Sequence, residues 1–377
     1  MAGGTIRVQV AVVGGGPAGL MAASTAAKYG ARVVLMDEKS APGGQLFKQI
    51  HKFFGSEHHW AGVRGMEIGR RLLEEADRVG VQVLLDTSVW GIFPSCRGIG
   101  GRIAAAVRTE RKIVEAERVV LATGAGENPL AFEGWTLPGV MGAGAAQTMI
   151  NVHRVRPGTR ALVVGAGNVG LIVAYQLLQT GIDVVALVEA KPRIGGYRVH
   201  AAKLKRTGVP ILTAHTVLEA RGGEGVEQAV IAQVDERFAP MPGTEIELSV
   251  DLICIAVGLS PAAELCRVAD CRMAFMGALG GYVPVHDRNM ETSVPGLYVA
   301  GDVAGIEEAS TAMEEGRLVG VAAAESLGLI GREQAEKEKA AIWRSLDALR
   351  SGPFGEMRFN AKRTLMKMAT AEGFREV

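Results

Sequence analysis

The chain alternates between two kinds of apolar pattern, and the alternation repeats. Ile6–Val13 is a short, almost continuous apolar run ending in Gly14-Gly15-Gly16-Pro17-Ala18-Gly19, which predicts a buried strand running into a glycine turn. Leu20–Tyr29 is small and apolar and predicts a helix, and Arg32–Met36 predicts the next buried strand, closed by Asp37-Glu38. Gly43–Gly65 has no clean period and predicts a long loop, the kind of segment that is often functional in compact folds. Met66–Val79 has the spacing of an amphipathic helix and Val81–Leu85 that of a strand. Ser88–Pro94, Arg102–Arg108 and Lys112–Glu115 predict an antiparallel meander. Arg118–Ala122 predicts a return to the parallel sheet, stopping at Thr123-Gly124-Ala125-Gly126.

The same succession starts again at Ala161. Ala161–Val164 predicts a strand ending in Gly165-Ala166-Gly167-Asn168-Val169-Gly170, followed by a helix over Leu171–Thr180 and a strand over Asp183–Val188 that ends at Glu189. Val209–Leu212 is a strand after a helix, a second meander covers roughly Ala214–Ser249, and Leu252–Val257 returns before Gly258-Leu259. Two copies in register predict an α/β fold: two Rossmann-like parallel-sheet dinucleotide-binding domains, each with an antiparallel β-meander insertion. The expected boundaries are 1–145 and 269–330 for the first domain, 146–268 for the second, and 331–377 for a helical basic tail. A solvated helix face is the default reading of that tail's Arg358, Lys362, Arg363 and Lys367, with docking of an acidic electron carrier as the alternative.

Composition narrows the field. With 48% apolar and 21% charged residues the chain is globular, and a net charge of +1 gives no reason to expect nucleic acid. Fifty glycines in 377 residues is about twice the usual share, which points to tight turns and close backbone approach. Cys96, Cys254, Cys266 and Cys271 form no CxxC pair, and Cys266 with Cys271 cannot alone complete a four-ligand site. Ordinary reduced thiols and no metal are therefore expected. No apolar run approaches the ~18 residues of a membrane span, and Val8–Val13 is too short for a signal-peptide core, so a cytoplasmic protein without membrane insertion is expected.

The chemistry sits in the glycine turns. A lone GxGxxG is a weak signal, but Gly14, Gly16 and Gly19 stand between a predicted strand and a predicted helix. Gly14 permits the turn, Gly16 lets a pyrophosphate approach the backbone, and Gly19 lets helix and strand pack closely. The helix N-terminus supplies unpaired N–H groups to the phosphates. Asp37 follows Gly14 by 23 positions, near the ~20 expected for an acid on a ribose hydroxyl, and strand alternation favours it over Glu38. The second fingerprint, Gly165, Gly167 and Gly170 with Asn168 and Val169, has its acid at Glu189. That acid accepts from a free 2′-hydroxyl and repels a 2′-phosphate, which argues for NAD over NADP, although Lys191 and Arg193 lie just beyond.

Together the two fingerprints, the two meanders, Leu121-Ala122-Thr123-Gly124 and Leu297-Tyr298-Val299-Ala300-Gly301-Asp302 resemble the two-dinucleotide-domain flavoprotein disulfide reductase superfamily. The resemblance covers about residues 5–330. It implies FAD in the first domain, held by Gly14, Gly16, Pro17, Ala18, Gly19, Asp37, Glu38, Gly44, Gln45, the backbone of Val89, Ala122, Thr123, Gly124, Gly301 and Asp302. The helix beginning near Ser310 and Thr311 would face the flavin, and NAD(H) would occupy the second domain. Glu133–Met141, Gly144–Gln147 and Ala278–Gly281 are similar more narrowly to the FAD subunits of the opine oxidase, hydrogen cyanide synthase and dye-linked proline dehydrogenase group. Two departures stand out. The C-terminal cysteine cluster that many of those relatives use for [2Fe–2S] has no counterpart in residues 278–377, and no dimerisation domain of the glutathione reductase branch follows residue 330.

His51, His58 and His59 lie in the loop where that superfamily keeps its second redox group, which makes them candidates for a proton relay. The expected activity is hydride transfer from NADH to FAD. The electrons would then pass to an iron–sulfur or second flavoprotein subunit, because the chain has no internal dithiol or cluster. Phe47, Lys48, Lys52, Phe53, Phe54, Trp60 and Arg64 make the same loop a candidate docking surface, with burial of its aromatics in the core as the equal alternative. The alternatives are an amine- or amino-acid-oxidising complex of the opine or proline type, and a non-catalytic nucleotide-holding subunit.

Overall fold

A computed structural model of the chain describes residues 4–53, 56–94, 101–107, 110–352 and 355–371, so Phe54 and Cys96 lie outside the described residues. It consists of two compact units, Met1–Gly126 with Ser260–Val377, and Glu127–Leu259.

The first unit opens with β1 (Thr5–Val13), α1 (Pro17–Lys28), β2 (Val33–Met36), α2 (Gly65–Arg78), β3 (Gln82–Leu84), β4 (Thr87–Pro94), β5 (Gly101–Val107) and β6 (Glu110–Leu121). Strands β3, β2, β1 and β6 are parallel neighbours, and β5 and β4 continue the sheet antiparallel. The third meander strand and the return strand expected from the sequence are one strand, because β6 runs unbroken for 12 residues. Glu115 and Glu117 alternate with buried Val114 and Ala116, so their charges mark one face of a strand rather than its end. The loop between β2 and α2 holds two short 3₁₀ turns, Gly44–Lys48 and Glu57–His59.

Past β7 (Ala125–Glu127), the second unit contains β8 (Val140–Gly142), α3 (Ala143–Thr148), β9 (Arg160–Val164), α4 (Asn168–Gln179), β10 (Asp183–Glu189), α5 (Arg198–Lys205) and β11 (Ile211–Thr213). The meander β12 (His215–Arg221), β13 (Gln228–Gln233) and β14 (Ile246–Ser249) follows, then β15 (Leu252–Ile255). Five parallel strands lie in the order β11-β10-β9-β15-β8. Residues 127–145 thus stand in the second unit and not the first, because β8 pairs with β15.

After β16 (Leu259–Pro261) the chain continues through α6 (Glu264–Val268), β17 (Met273–Met276), β18 (Gly281–Pro284), β19 (Leu297–Val299), α7 (Ala309–Ser326), α8 (Arg332–Leu349) and α9 (Glu356–Ala371). Residues 260–268 also belong to the first unit and not the second, because Ala263 and Cys266 are buried in its core. Strand β19 pairs in parallel with Val119–Leu121, so the C-terminal end of β6 lies between β1 and β19. Cys254, Cys266 and Cys271 are buried thiols. Among the described residues no helix is long and apolar enough to cross a membrane.

Helix α7 packs on α1 through small residues. A Cβ at Gly316 would collide with the carbonyl oxygen of Ala18, and one at Gly320 would stand 2.5 Å from Thr25 Cβ. The C-terminal segment is anchored to the same helix at Glu315, next to Gly316. Lys362, expected on a solvated face, is 2% exposed, and Arg350 is 3% exposed; Arg363 and Lys367 are exposed. Lys362 Nζ donates to Glu315 Oε1 at 2.8 Å, and Arg350 Nη2 donates to the same oxygen at 2.6 Å. Arg350 also forks onto Glu307, with Nε 3.0 and 3.1 Å from its two carboxylate oxygens. Lys362 has no signature of burial in the sequence, since it stands beside Arg363 and its partner lies 47 positions away.

His286 is fully buried beside this cluster. Its Nδ1 donates to the Asp287 carbonyl at 2.9 Å, and Nε2 has no hydrogen-bond partner among the described residues. Burial and the nearby Lys362 charge lower its pKa to about 4. A histidine whose folded pKa lies below its unfolded value is neutral in the native state, so its contribution is complete above about pH 6.5 and is lost as pH falls toward about 4. Urea titrations of the wild type should therefore show a loss of roughly 3 kcal/mol between pH 7 and pH 4 from this group, and His286→Gln should remove that part of the slope. An unchanged slope in the variant would contradict it. Separately, Gly320→Val should lower the unfolding free energy by about 1–3 kcal/mol through overpacking, and an unmoved urea midpoint would show that the two helices separate freely.

Candidate dinucleotide sites

The two units repeat one construction around their glycine turns. In the first, Gly14 N–H donates to the Met36 carbonyl at 2.8 Å and Ala122 N–H donates to Val13 at 2.8 Å. In the second, Gly165 N–H donates to Val188 at 2.7 Å and Ala256 N–H to Val164 at 2.7 Å. Gly14 and Gly165 have φ of +105° and +109°, where a side chain is strained, and a Cβ on either would collide with a carbonyl oxygen of the adjoining strand end. A Cβ on Gly19 or Gly170 would collide with the carbonyl of Gly14 or Gly165.

The middle glycines differ. A Cβ on Gly16 would have Gly44 Cα as its nearest neighbour, at 3.9 Å, and one on Gly167 would meet nothing within 4 Å. Both have ordinary φ, −75° and −72°. Neither protein packing nor backbone strain requires glycine at these two positions. Gly16 and Gly167 are also the N-caps of α1 and α4, with no side-chain cap bond and no acidic residue in the first turn. Each helix start therefore presents unpaired N–H groups and the positive end of the helix dipole, the chemistry that suits an anionic group such as a pyrophosphate. Pro17 starts α1, and its missing N–H costs no helix bond.

Asp37 is buried, as is the whole of β2 before it, and Glu38 is exposed. Asp37 Oδ2 accepts from Gly15 N–H and Oδ1 from Lys39 N–H at 2.8 Å. Glu189 repeats the arrangement, accepting from Ala166 N–H at 2.8 Å and Lys191 N–H at 2.9 Å. Each acid thus ties its strand end to its glycine turn and keeps lone pairs for a hydroxyl donor. A second loop closes over each turn. Gly43 N–H donates to Gly15 at 2.6 Å, and Gly44 lies so near Gly16 that a Cβ would stand 2.8 Å from its Cα. In the second unit Gly196 N–H donates to Ala166 at 2.9 Å, and Tyr197 N–H donates to Asn168 Oδ1 at 2.8 Å. The matching role of Gly43-Gly44 and Gly195-Gly196 escaped the sequence reading, although both pairs follow their acid by a few residues.

The remaining expected positions of the first unit gather at the same strand ends. Thr87 N–H donates to the Asp37 carbonyl at 2.9 Å, which brings the start of β4, with Val89, beside Asp37. Ala122 lies against Gly19, Thr123 Oγ1 donates to the Ala262 carbonyl at 2.6 Å, and Gly124 has φ +76°. A Cβ on Gly301 would stand 2.9 Å from Ala18 Cβ. Burial raises the Asp302 carboxyl to about 6, with Glu315, Glu307 and Glu308 adding to the shift against one hydrogen bond from Glu307 N–H. Helix α7 begins after Glu308 with no side-chain cap and no acid in its first turn. Thr311 spends its hydroxyl on the Glu308 carbonyl at 2.6 Å, and Gln45 is exposed. Val169 is 38% exposed at the start of α4.

Of the three histidines, His58 and His59 come together and His51 does not; His51 packs edge-on to Phe53, ring centroids 5.4 Å apart. His59 is buried and bridges Ser56 Oγ at 2.8 Å and Glu314 Oε1 at 2.9 Å. Arg317 Nη1 donates to His58 Nε2 at 2.9 Å and stands 3.1 Å from Glu314 Oε2. Burial opposes the Glu314 charge, but the His59 bond and the Arg317 charge outweigh it and hold the carboxyl below its usual range. Glu314, 255 positions from His59, had no signal in the sequence. His58, His59 and Glu314 could be read as metal ligands, but Arg317 already supplies a fixed positive charge among them. Of the two readings of the loop aromatics, Phe53 and Trp60 follow the core one and pack against it.

The family profile of pyridine nucleotide-disulphide oxidoreductases matches residues 8–316. The chain belongs to that family. Its members are flavin-dependent oxidoreductases, and oxidase subunits stand among the relatives of this chain. It is 31% identical over 335 residues to an opine oxidase subunit of Agrobacterium tumefaciens, covering 85% of this chain and 66% of that one. The alpha subunit of sarcosine oxidase from Rhizobium meliloti is 27% identical across 97% of this chain, which spans 36% of that protein. This family member thus spans two thirds or less of those relatives. Its α/β fold with Rossmann-like parallel cores is shared with L-proline dehydrogenase of P. horikoshii (TM-score 0.70, 24% identity, 92% of this chain and 60% of that one). It is shared equally with T. acidophilum thioredoxin reductase (TM-score 0.70, 21% identity, 85% of this chain and 99% of that one).

The open glycines give a clean test. Gly16→Ala and Gly167→Ala should leave the thermal midpoint of the ligand-free chain unchanged or slightly raised, because an alanine fits both backbone and space. Each should lose affinity for the dinucleotide of its own unit by tenfold or more. Equilibrium dialysis with FAD and with NADH reads this, and wild-type binding in both variants would contradict the cradle.

Proposed function

We propose that the chain is an FAD flavoprotein that takes a hydride from NADH and passes the electrons to an iron–sulfur or second flavoprotein subunit. The observation that carries the proposal is the pair of open glycines, Gly16 and Gly167, each at an uncapped helix start and each beside a strand-end acid. Two such cradles in one chain suit two dinucleotides. FAD, when bound, supplies the redox chemistry, accepting two electrons as a hydride and releasing them to an acceptor.

The chain's own part is to bind and orient. Gly14, Gly16, Pro17, Ala18 and Gly19 would take the FAD pyrophosphate, Asp37 the adenosine ribose, and the Val89 backbone the adenine. Glu38 would stay at the rim. Gly44, Gln45, Ala122, Thr123, Gly124 and Gly301 would line the approach to the flavin, with Asp302 accepting from its ribityl or pyrophosphate portion. The N-terminus of α7, with Ser310 and Thr311, would place its positive end toward negative charge on the reduced ring. Gly165, Gly167, Asn168, Val169 and Gly170 would hold the pyrophosphate of NADH, and Glu189 its ribose. His59, with His58 beside it, is the better candidate for holding a proton, because its bond to Glu314 gives the proton a defined second partner. The subunit names of the relatives support a larger assembly.

Those names also favour a second reading, in which the same FAD site serves an amine- or amino-acid-oxidising complex. Anaerobic mixing separates the two. Rapid loss of the flavin's visible absorbance with NADH supports the first, and loss only with an amine supports the second. Steady-state dye reduction should give a higher kcat/KM with NADH than with NADPH. Glu189→Ala should narrow that gap chiefly by raising KM for NADH, since the contact is remote from the hydride. A wild-type preference for NADPH would overturn the assignment of Glu189.

A further inference from the structure

The family profile ends at residue 316, yet the last two helices reach back into the matched region. Their target is Glu315, on the second turn of α7 and 1% exposed. Glu315 Oε2 accepts from Gly301 N–H at 2.9 Å, and Oε1 accepts from Arg350 and Lys362 at 2.6 and 2.8 Å. Gly301 opens the turn that carries Asp302 and lies against Ala18 in the first turn of α1. One carboxylate therefore joins the C-terminal helices to the strand end on which the FAD assignment depends.

The charges explain why both cations are needed. Glu315 and Glu307 are buried carboxylates, and Arg350 and Lys362 are buried cations bonded to them, so the cluster is neutral as a whole. A buried carboxylate that loses a partner either carries an uncompensated charge or takes up a proton. A protonated Glu315 would accept from Gly301 N–H more weakly than the carboxylate does. An uncompensated one would add negative charge beside Asp302, whose carboxyl already feels Glu315 and Glu307.

We propose that Glu315, Arg350 and Lys362 form a positioning clamp for the flavin, in which the two C-terminal cations hold Glu315 ionised so that it fixes the Gly301 N–H and the orientation of the Gly301-Asp302 turn. The proposal rests on the reading that the first unit holds FAD. The three residues act on the flavin indirectly, through Gly301 and through the start of α7. The C-terminal helices are then a working part of the cofactor site rather than an appended tail.

The test compares FAD affinity, the visible circular dichroism of the bound flavin and its midpoint potential in the full chain and its variants. Lys362→Met should raise the FAD dissociation constant about tenfold or more, alter the flavin dichroism and make the potential more negative. Lys362→Arg should restore all three, and Lys337→Met, on an exposed position of α8, should change none. If Lys362→Met folds poorly, the charge-balanced Glu315→Gln/Lys362→Met chain replaces it. It keeps an acceptor for Gly301 without the charge, and it too should bind FAD more weakly. Wild-type affinity, dichroism and potential in either chain would overturn the clamp, as would a loss of urea stability with all three flavin properties unmoved. A wild-type chain that binds no FAD would instead overturn the FAD reading, a result visible before any variant is made.

Discussion

Everything in the two cores depends on a backbone approach that only glycine allows. At Gly14 and Gly19, and again at Gly165 and Gly170, the space for a side chain is taken by a carbonyl oxygen of a neighbouring segment. Removing four Cβ atoms lets β1 and β9 turn directly into α1 and α4 while the flanking strand end stays in hydrogen-bond contact. The acid at the end of the next strand then locks the turn from its other side, through Gly15 in one unit and Ala166 in the other. With the turn fixed by its protein contacts, the middle glycine of each fingerprint is left uncrowded by protein atoms. The proposed ligand position is thus a by-product of how strand, turn and helix must meet.

The second constraint is electrostatic and belongs to the first unit alone. Helix α7 lies against α1 through glycines, which leaves no room on that face for anything but small side chains. Its other charged positions are occupied in two different ways. Glu314 faces His59 and Arg317, whereas Glu315 faces Gly301, Arg350 and Lys362. Consecutive carboxylates on one buried helix are stable because each has its own cations; burying a charge without a partner costs several kcal/mol.

Most of this fold was legible because it is periodic. Apolar runs bounded by glycine turns and acids marked both parallel sheets, and the repeat itself pointed to two dinucleotide units. Legibility failed where the information is not local. The β6 strand looked like two strands because Glu115 and Glu117 interrupt its apolar character while respecting its alternation. Residues 127–145 looked like the end of the first unit because nothing in their sequence states that β8 pairs with β15. Lys362 looked solvated because the carboxylate that draws it inward is 47 positions away, and the sequence left the loop aromatics divided between docking surface and core, of which Phe53 and Trp60 take the core side. The fingerprint residues stood out by spacing and by the strand and helix on either side, but which of the glycines are crowded by protein and which are open shows only in their neighbours.

The proposed hydride transfer divides the two glycine turns between different dinucleotides, FAD over Gly16 and NADH over Gly167, and depends on that division. A crystal structure of the chain grown with FAD and NAD(H) together decides it. The FAD pyrophosphate should lie at the start of α1, with Asp37 on its ribose, and the nicotinamide dinucleotide at the start of α4, with Glu189 on its ribose. An adenine nucleotide without a flavin over Gly16, or FAD over Gly167, would refute the division.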